Sequence, residues 1–159
     1  MVVQKTCPQI IHVDDDPSIL RLIKRNLGPA FDVHSQPDPD LCIDELIRTG
    51  SRLVILDIDL GPNKMSGLDL LKSIKRFDGG IHVIMLTGLV SIDTILTSMR
   101  EGAEACLFKP LHDKQELLDV VNDSLRKHAR WHASLHDLVM RKKELTSKAL
   151  TSKELTKLA

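Results

Sequence analysis

Short apolar runs alternate along this chain with longer segments whose apolar residues recur every three or four positions. The runs Gln9–Val13 (QIIHV), Asp32–Ser35, Leu53–Leu56 (LVIL), His82–Leu86 (HVIML) and Cys106–Phe108 are brief and rich in β-branched residues, so they predict strands. The segments Pro17–Leu27, Pro39–Arg48, Gly67–Arg76 and Ile92–Glu101 predict helices, and a fifth helix begins near Asp113. Local punctuation agrees. Asp16 offers an N-cap acceptor before Pro17 at a first helical position, and Gly28, Gly50, the pair Gly79 and Gly80, and Gly102 follow the four helices in turn. Strands apolar on both faces, each followed by a helix, predict an α/β fold in which a parallel sheet is covered on both sides.

A parallel sheet gathers the carboxyl ends of its strands along one edge, where such folds bind ligands. The first strand ends in Asp14, Asp15 and Asp16, the third in Asp57, the fourth in Thr87 and the fifth in Lys109-Pro110. Three or more carboxylates, a hydroxyl and an ammonium are therefore expected in one cleft. Clustered carboxylates repel one another and call for a cation, and oxygen-only ligands with room for water suit Mg²⁺, with Mn²⁺ able to replace it. A cation held by Asp15 and Asp57 would neutralise an incoming phosphoryl group and let a carboxylate attack it. Lys109 and Thr87 would supply the remaining charge and hydrogen-bond donor.

Composition changes this picture mainly at the C-terminus. The formal net charge is zero, yet residues 1–125 hold 13 Lys/Arg against 19 Asp/Glu and residues 126–159 hold 9 against 3. The first 125 residues are acidic and the tail basic. Three widely spaced cysteines, Cys7, Cys42 and Cys106, form no metal-binding spacing and read as reduced thiols of an intracellular protein. The N-terminus lacks a secretory signal, and no apolar run is long enough to cross a bilayer, so a soluble, cytoplasmic protein is expected.

Neither Gly nor Pro follows Pro110, and Leu118, Val121, Leu125, Trp131, Leu135, Leu138 and Leu145 keep roughly helical spacing. The fifth helix is therefore expected to overrun a domain at 1–126 as a basic extension over 127–159, with its last, quasi-repetitive residues frayed. His128, His132 and His136 fall on one face of that helix, which reads as an exposed face sooner than as a metal site.

The stretches IIHVDDDPSILRLI, RLVILDIDL, MSGLDLLKSI, VIMLTG and GAEACLFKPL, in this order and spacing, resemble the receiver domain of two-component response regulators. The resemblance runs from about Gln9 to Arg126. It implies a flavodoxin-like (βα)5 fold with strand order 2-1-3-4-5, and Mg²⁺-dependent transfer of a phosphoryl group to Asp57 from a sensor histidine kinase or a phosphotransfer protein. By the same resemblance Asp15 binds the metal directly, Asp14 mostly through water, and Asp59 through its backbone carbonyl. Asp16 is left as a helix cap. Thr87 becomes the switch hydroxyl, Lys109 the phosphate-binding cation, and Lys109-Pro110 a cis peptide. Such a domain is a phosphoacceptor with intrinsic self-phosphorylation and dephosphorylation chemistry, not an enzyme acting on separate substrates. Its output would be altered protein contacts with an unknown effector.

The sequence departs from the family pattern at three places. Cys106 stands where receivers usually carry a Tyr or Phe, so the switch position has no aromatic to turn. The loop from Asp57 to Gly67 is about two residues longer than usual. Asp59 and Leu89 occupy variable positions that resemble those setting the lifetime of the phosphoryl group.

Rival functions follow from other features. DIDLG resembles the nucleophile motif of haloacid-dehalogenase-type phosphatases, but those enzymes place the nucleophile on the first strand and the acidic pair after the lysine; here the order is reversed. LTSKELTKLA resembles the opening of a LuxR-type helix-turn-helix, so the chain reads alternatively as the receiver fragment of a DNA-binding regulator. A reader helix needs several tens more residues than are present, so nucleic acid is not expected to bind this chain alone. A homodimer through the C-terminal helix, seamed by Trp131, Leu135 and Leu138, is the remaining partner reading.

Overall fold

The computed structural model describes residues 7–88 and 91–157, with side chains through Ser147. Leu89 lies outside the described residues, and so do the side chains of the segment in which fraying is expected. The elements run β1 (Gln9–Val13), α1 (Pro17–Leu27), β2 (Asp32–Gln36), α2 (Cys42–Thr49), β3 (Leu53–Leu56), α3 (Gly67–Phe77), β4 (His82–Thr87), α4 (Ile92–Arg100), β5 (Ala105–Phe108) and α5 (Lys114–Lys157).

Local chemistry explains where these elements begin. Asp16 has extended backbone and its carboxylate accepts from the Ser18 N–H at 2.7 Å, with Pro17 as the first helical residue. Ser66 accepts from the Asp69 N–H at 3.2 Å and starts α3 in the same way. The second helix differs from its pattern. Asp38 caps Asp40 (3.1 Å) over a single 3-10 turn at Pro39–Leu41, and the α-helix proper starts only at Cys42. Gly50 ends α2 at φ 67°, a left-handed position that a side chain would strain.

All five strands are parallel, in the order β2-β1-β3-β4-β5, as the resemblance implies. The chain runs from β1 to the neighbouring edge strand β2 and then back past β1 to β3, and this reversal opens the crevice at the carboxyl ends of β1 and β3. Both faces of the sheet are dry. Ile11, Val13, Val54, Leu56, Val83 and Met85 meet α2 and α3 through Cys42, Leu46, Leu70, Leu71 and Ile74. Ile10, Leu53, Ile55, Ile84 and Leu86 meet α1 and the opening turns of α5 through Ile23, Leu27, Leu117 and Val121. Each such side chain contributes about 1.5–3 kcal/mol on burial, which fixes the strand ends against one another.

Residues group into two compact units, Met1–Leu125 and Arg126–Ala159. Within the second, Trp131, Leu135, Leu138, Val139, Met140 and Leu145 are all exposed. The His128 and His132 rings stand 6.4 Å apart between centroids, and the described residues of this unit complete no three-ligand group. No helix among the described residues is long and apolar enough to cross a membrane. The three cysteines are free thiols, and burial, then the charge of Glu45, pushes Cys42 up to a pKa of about 12.

Candidate functional site

Strand pairing brings the predicted residues together. The Asp57 N–H donates to the carbonyl of Val13 (3.0 Å), which carries the end of β3 beside the end of β1. The Lys109 N–H donates to the carbonyl of Thr87 (2.9 Å), joining the ends of β5 and β4. Alternation along the strands turns Asp14, Asp57 and Lys109 to the face shared with Ile10, Ile55 and Leu107. The Lys109–Pro110 peptide is cis.

Lys109 Nζ donates to Asp14 Oδ2 at 2.6 Å and to Asp57 Oδ2 at 2.7 Å. Asp14 is fully buried, Asp57 is 5% exposed and Thr87 is buried, whereas Asp15 and Asp59 are exposed. Burial pushes the Asp14 carboxyl above its ordinary range, and the hydrogen bond from Lys109 draws it back only in part. For Lys109, burial works against the ammonium, and the bonds to Asp14 and Asp57 outweigh it, so its pKa is raised. Asp16 faces away to its cap, and the hydrogen bond from Ser18 lowers its pKa.

Oxygen atoms of Asp14, Asp15 and Asp57 lie within 4.8 Å of one another. That span and an all-oxygen donor set fit a hard divalent cation that keeps several waters, as Mg²⁺ does. The loop after β3 supports the fit. Gly61, at φ 91°, passes so close to Asp15 that a Cβ there would lie 2.9 Å from Oδ2. The loop closes where the Gly67 N–H donates to the Ile58 carbonyl (2.8 Å), and Lys64 Nζ ties it to the Pro37 carbonyl (3.1 Å). The Asp59 N–H makes a long contact, 3.4 Å, to Asp57 Oδ1, leaving that oxygen less engaged than Oδ2. Cys106 is half-buried and packs on the α2/α3 side of the sheet, where burial raises its pKa.

Two features of the site are not marked by the strand pattern. His12 sits on β1 inside an apolar run, fully buried, with both ring nitrogens lacking a hydrogen-bond partner and Nε2 3.9 Å from Asp14 Oδ2. A polar residue within QIIHV is its one sequence signal. Gly67 lies against the backbone of Asp57, and the sequence marks it only as a helix start.

Comparison with known proteins agrees with this geometry. Residues 10–122 match the family model described as response regulator receiver domain. The nitrogen assimilation regulatory protein NtrX of Azorhizobium caulinodans is 31% identical over 104 residues, covering 65% of this chain and 23% of that protein. The regulatory protein LuxO of Vibrio cholerae is 30% identical over 119 residues, covering 74% of this chain and 26% of that one. The chain thus spans about a quarter of the length of these curated relatives. A CheY-like response regulator receiver domain protein from Methanospirillum hungatei superposes with a TM-score of 0.72 at 26% identity, covering 79% of this chain and 98% of that one.

Proposed function

Since the chain belongs to the response regulator receiver domain family, we propose that Asp57 accepts a phosphoryl group from a sensor histidine kinase or a phosphotransfer protein of the cytoplasm. The observation that carries this reading is the single ammonium of Lys109 bound at once to Asp14 and Asp57, beside three carboxylates whose oxygens cluster within 4.8 Å. A carboxylate oxygen of Asp57 attacks phosphorus, the bond from phosphorus to the donor's leaving atom breaks, and an aspartyl phosphate results. Asp14 and Asp15, the Asp57 carboxylate and the Asp59 carbonyl would hold Mg²⁺, which when bound neutralises charge on the transferred group. Lys109 turns toward the phosphoryl oxygens, and Thr87 closes on them as the donor of a further hydrogen bond. Asp59 and Leu89 set the lifetime of the product. The signal passes through a switch position occupied by the Cys106 thiol in place of an aromatic ring, so packing on the α2/α3 side carries it, and an effector of unknown kind reads it.

Incubation with acetyl phosphate and Mg²⁺ is expected to add one phosphoryl group by mass, and neither Asp57→Asn nor the wild-type protein in excess chelator should gain it. Equal labelling of the Asp57→Asn protein would overturn the reading.

The exposed Trp131, Leu135, Leu138 and Leu145 favour a second element, self-association through α5. Weighing the species in solution should give a dimer for the full chain and a monomer once residues 130–159 are removed; the same oligomeric state before and after truncation would rule the seam out.

A further inference from the structure

We propose that His12 is a positioning residue for Asp14, donating a hydrogen bond from Nε2 to Asp14 Oδ2 when Lys109 leaves that oxygen for a phosphoryl group on Asp57. The inference rests on the reading of Asp57 as phosphoacceptor and adds to it a residue of β1 that the acidic cleft does not otherwise use.

A fully buried imidazole with two unpaired nitrogens is costly, because neither the core nor water repays the bonds it gave up on folding. A leucine or isoleucine would fill the place between Ile10 and the sheet ends at no such cost. The neighbourhood identifies what the ring is poised to meet. On the same face, Nε2 stands 3.9 Å from Asp14 Oδ2, about one ångström beyond hydrogen-bond length. In the resting arrangement that oxygen is taken by Lys109 Nζ at 2.6 Å, while Oδ1 accepts from the Asp16 N–H at 2.9 Å.

Phosphorylation changes the competition. A phosphoryl group offers Lys109 more negative charge than Asp14 does, so the ammonium follows it. Asp14 is fully buried and, beside the cation it would help to hold mostly through water, would then keep one hydrogen-bond donor from the protein, the Asp16 N–H. A displacement of about one ångström lets the imidazole supply the second. In the tautomer protonated at Nε2 the ring presents a donor toward Asp14. The resting state therefore carries an unpaired imidazole whose Nε2 the phosphorylated state satisfies.

The ring can be followed without any variant. In uniformly ¹⁵N-labelled wild-type protein with Mg²⁺, adding beryllofluoride as the phosphoryl stand-in should move the His12 Nε2–H proton downfield and slow its exchange with water. Beryllofluoride that binds at Asp57 and leaves this resonance unmoved overturns the role of His12 while the phosphoacceptor reading stands. Failure of beryllofluoride to bind at all brings down both. Two variants add a quantitative arm. His12→Leu should weaken Mg²⁺-dependent beryllofluoride binding by about tenfold, the scale of a lost hydrogen bond to a charged group, while raising the melting temperature of the unloaded protein. His12→Gln, which keeps an N–H near the Nε2 position, should recover most of the binding. A ring that merely fills space would give Leu and Gln the same binding, and that result also overturns the proposal.

Discussion

Replacing Gly67 by alanine is expected to cost more than about 3 kcal/mol of folding stability and to abolish phosphoryl acceptance with it. The Cβ would lie 1.9 Å from the carbonyl oxygen of Asp57 and 2.7 Å from Ile58 Cα. Both are backbone atoms, so no flexible side-chain end can swing aside. The same glycine donates its N–H to the Ile58 carbonyl at 2.8 Å, the bond that closes the loop after β3. To make room, either the first turn of α3 must lift from the sheet or the end of β3 must retreat. The second choice pulls Asp57 from Val13 and from Lys109 Nζ. Overpacking on this scale exceeds the usual 1–3 kcal/mol because the obstacle is main chain. Urea denaturation of Gly67→Ala beside Gly79→Ala checks the prediction, since a Cβ at Gly79 meets nothing nearer than the Lys75 carbonyl at 3.9 Å. Equal midpoints for the two variants would show that the loop yields.

Lys109→Ala is the next largest expected effect, at about 3 kcal/mol near neutral pH, the scale on which a buried ion pair loses one partner. The two carboxylates it leaves behind have side-chain exposures of 0% and 8%. The deficit should depend on pH in a definite sense. Burial already raises the Asp14 pKa, and losing the lysine removes the hydrogen bond and the charge that held it down. A carboxyl whose folded pKa lies above its unfolded value adds stability below the unfolded pKa and loses it as pH rises through the folded one. The variant should therefore lose more, relative to wild type, near about pH 8 than near about pH 5. Under the proposed function, labelling by acetyl phosphate should fall on the order of 10²-fold, as when a single donor to a developing charge is deleted. Stability curves at the two pH values and the initial labelling rate test both statements; a deficit that is flat with pH would remove Asp14 from the explanation.

Much of this site is legible in the sequence because a parallel sheet converts order along the chain into proximity. Asp14, Asp57, Thr87 and Lys109 each stand at the point where an apolar run stops, and strand pairing alone brings those points to one edge. The cap at Asp16 and the start at Gly67 are legible for local reasons, since proline and a short polar side chain act within one turn. The start of α2 is less so: Pro39 is a good first helical residue, yet the turn it opens is 3-10, and the α-helix waits for Cys42. What the pattern cannot carry is information about faces and close approaches. Alternation puts His12 and Asp14 on one face of β1, but with both faces buried it does not reveal that the ring is left without a hydrogen-bond partner there. Gly61 and Gly67 read as punctuation, and only three dimensions show one against the Asp15 carboxylate and the other against the Asp57 backbone. Nor does spacing say that one ammonium serves two carboxylates.

The strand order also leaves β2 as an outer margin of the sheet. A bare margin is a template on which further chains can add strands, and parallel sheets of aliphatic residues are prone to it. Here the margin strand reads DVHSQ, the most polar of the five, and buries only Val33. His34 lies 3.2 Å from both Asp32 and Glu45, and Glu45 is held in turn by Arg48, so ionisable groups crowd the border. On this side the dry interior of the sheet is thus fenced from its own copies at high concentration, and removing the fence would endanger solubility before it touched the chemistry.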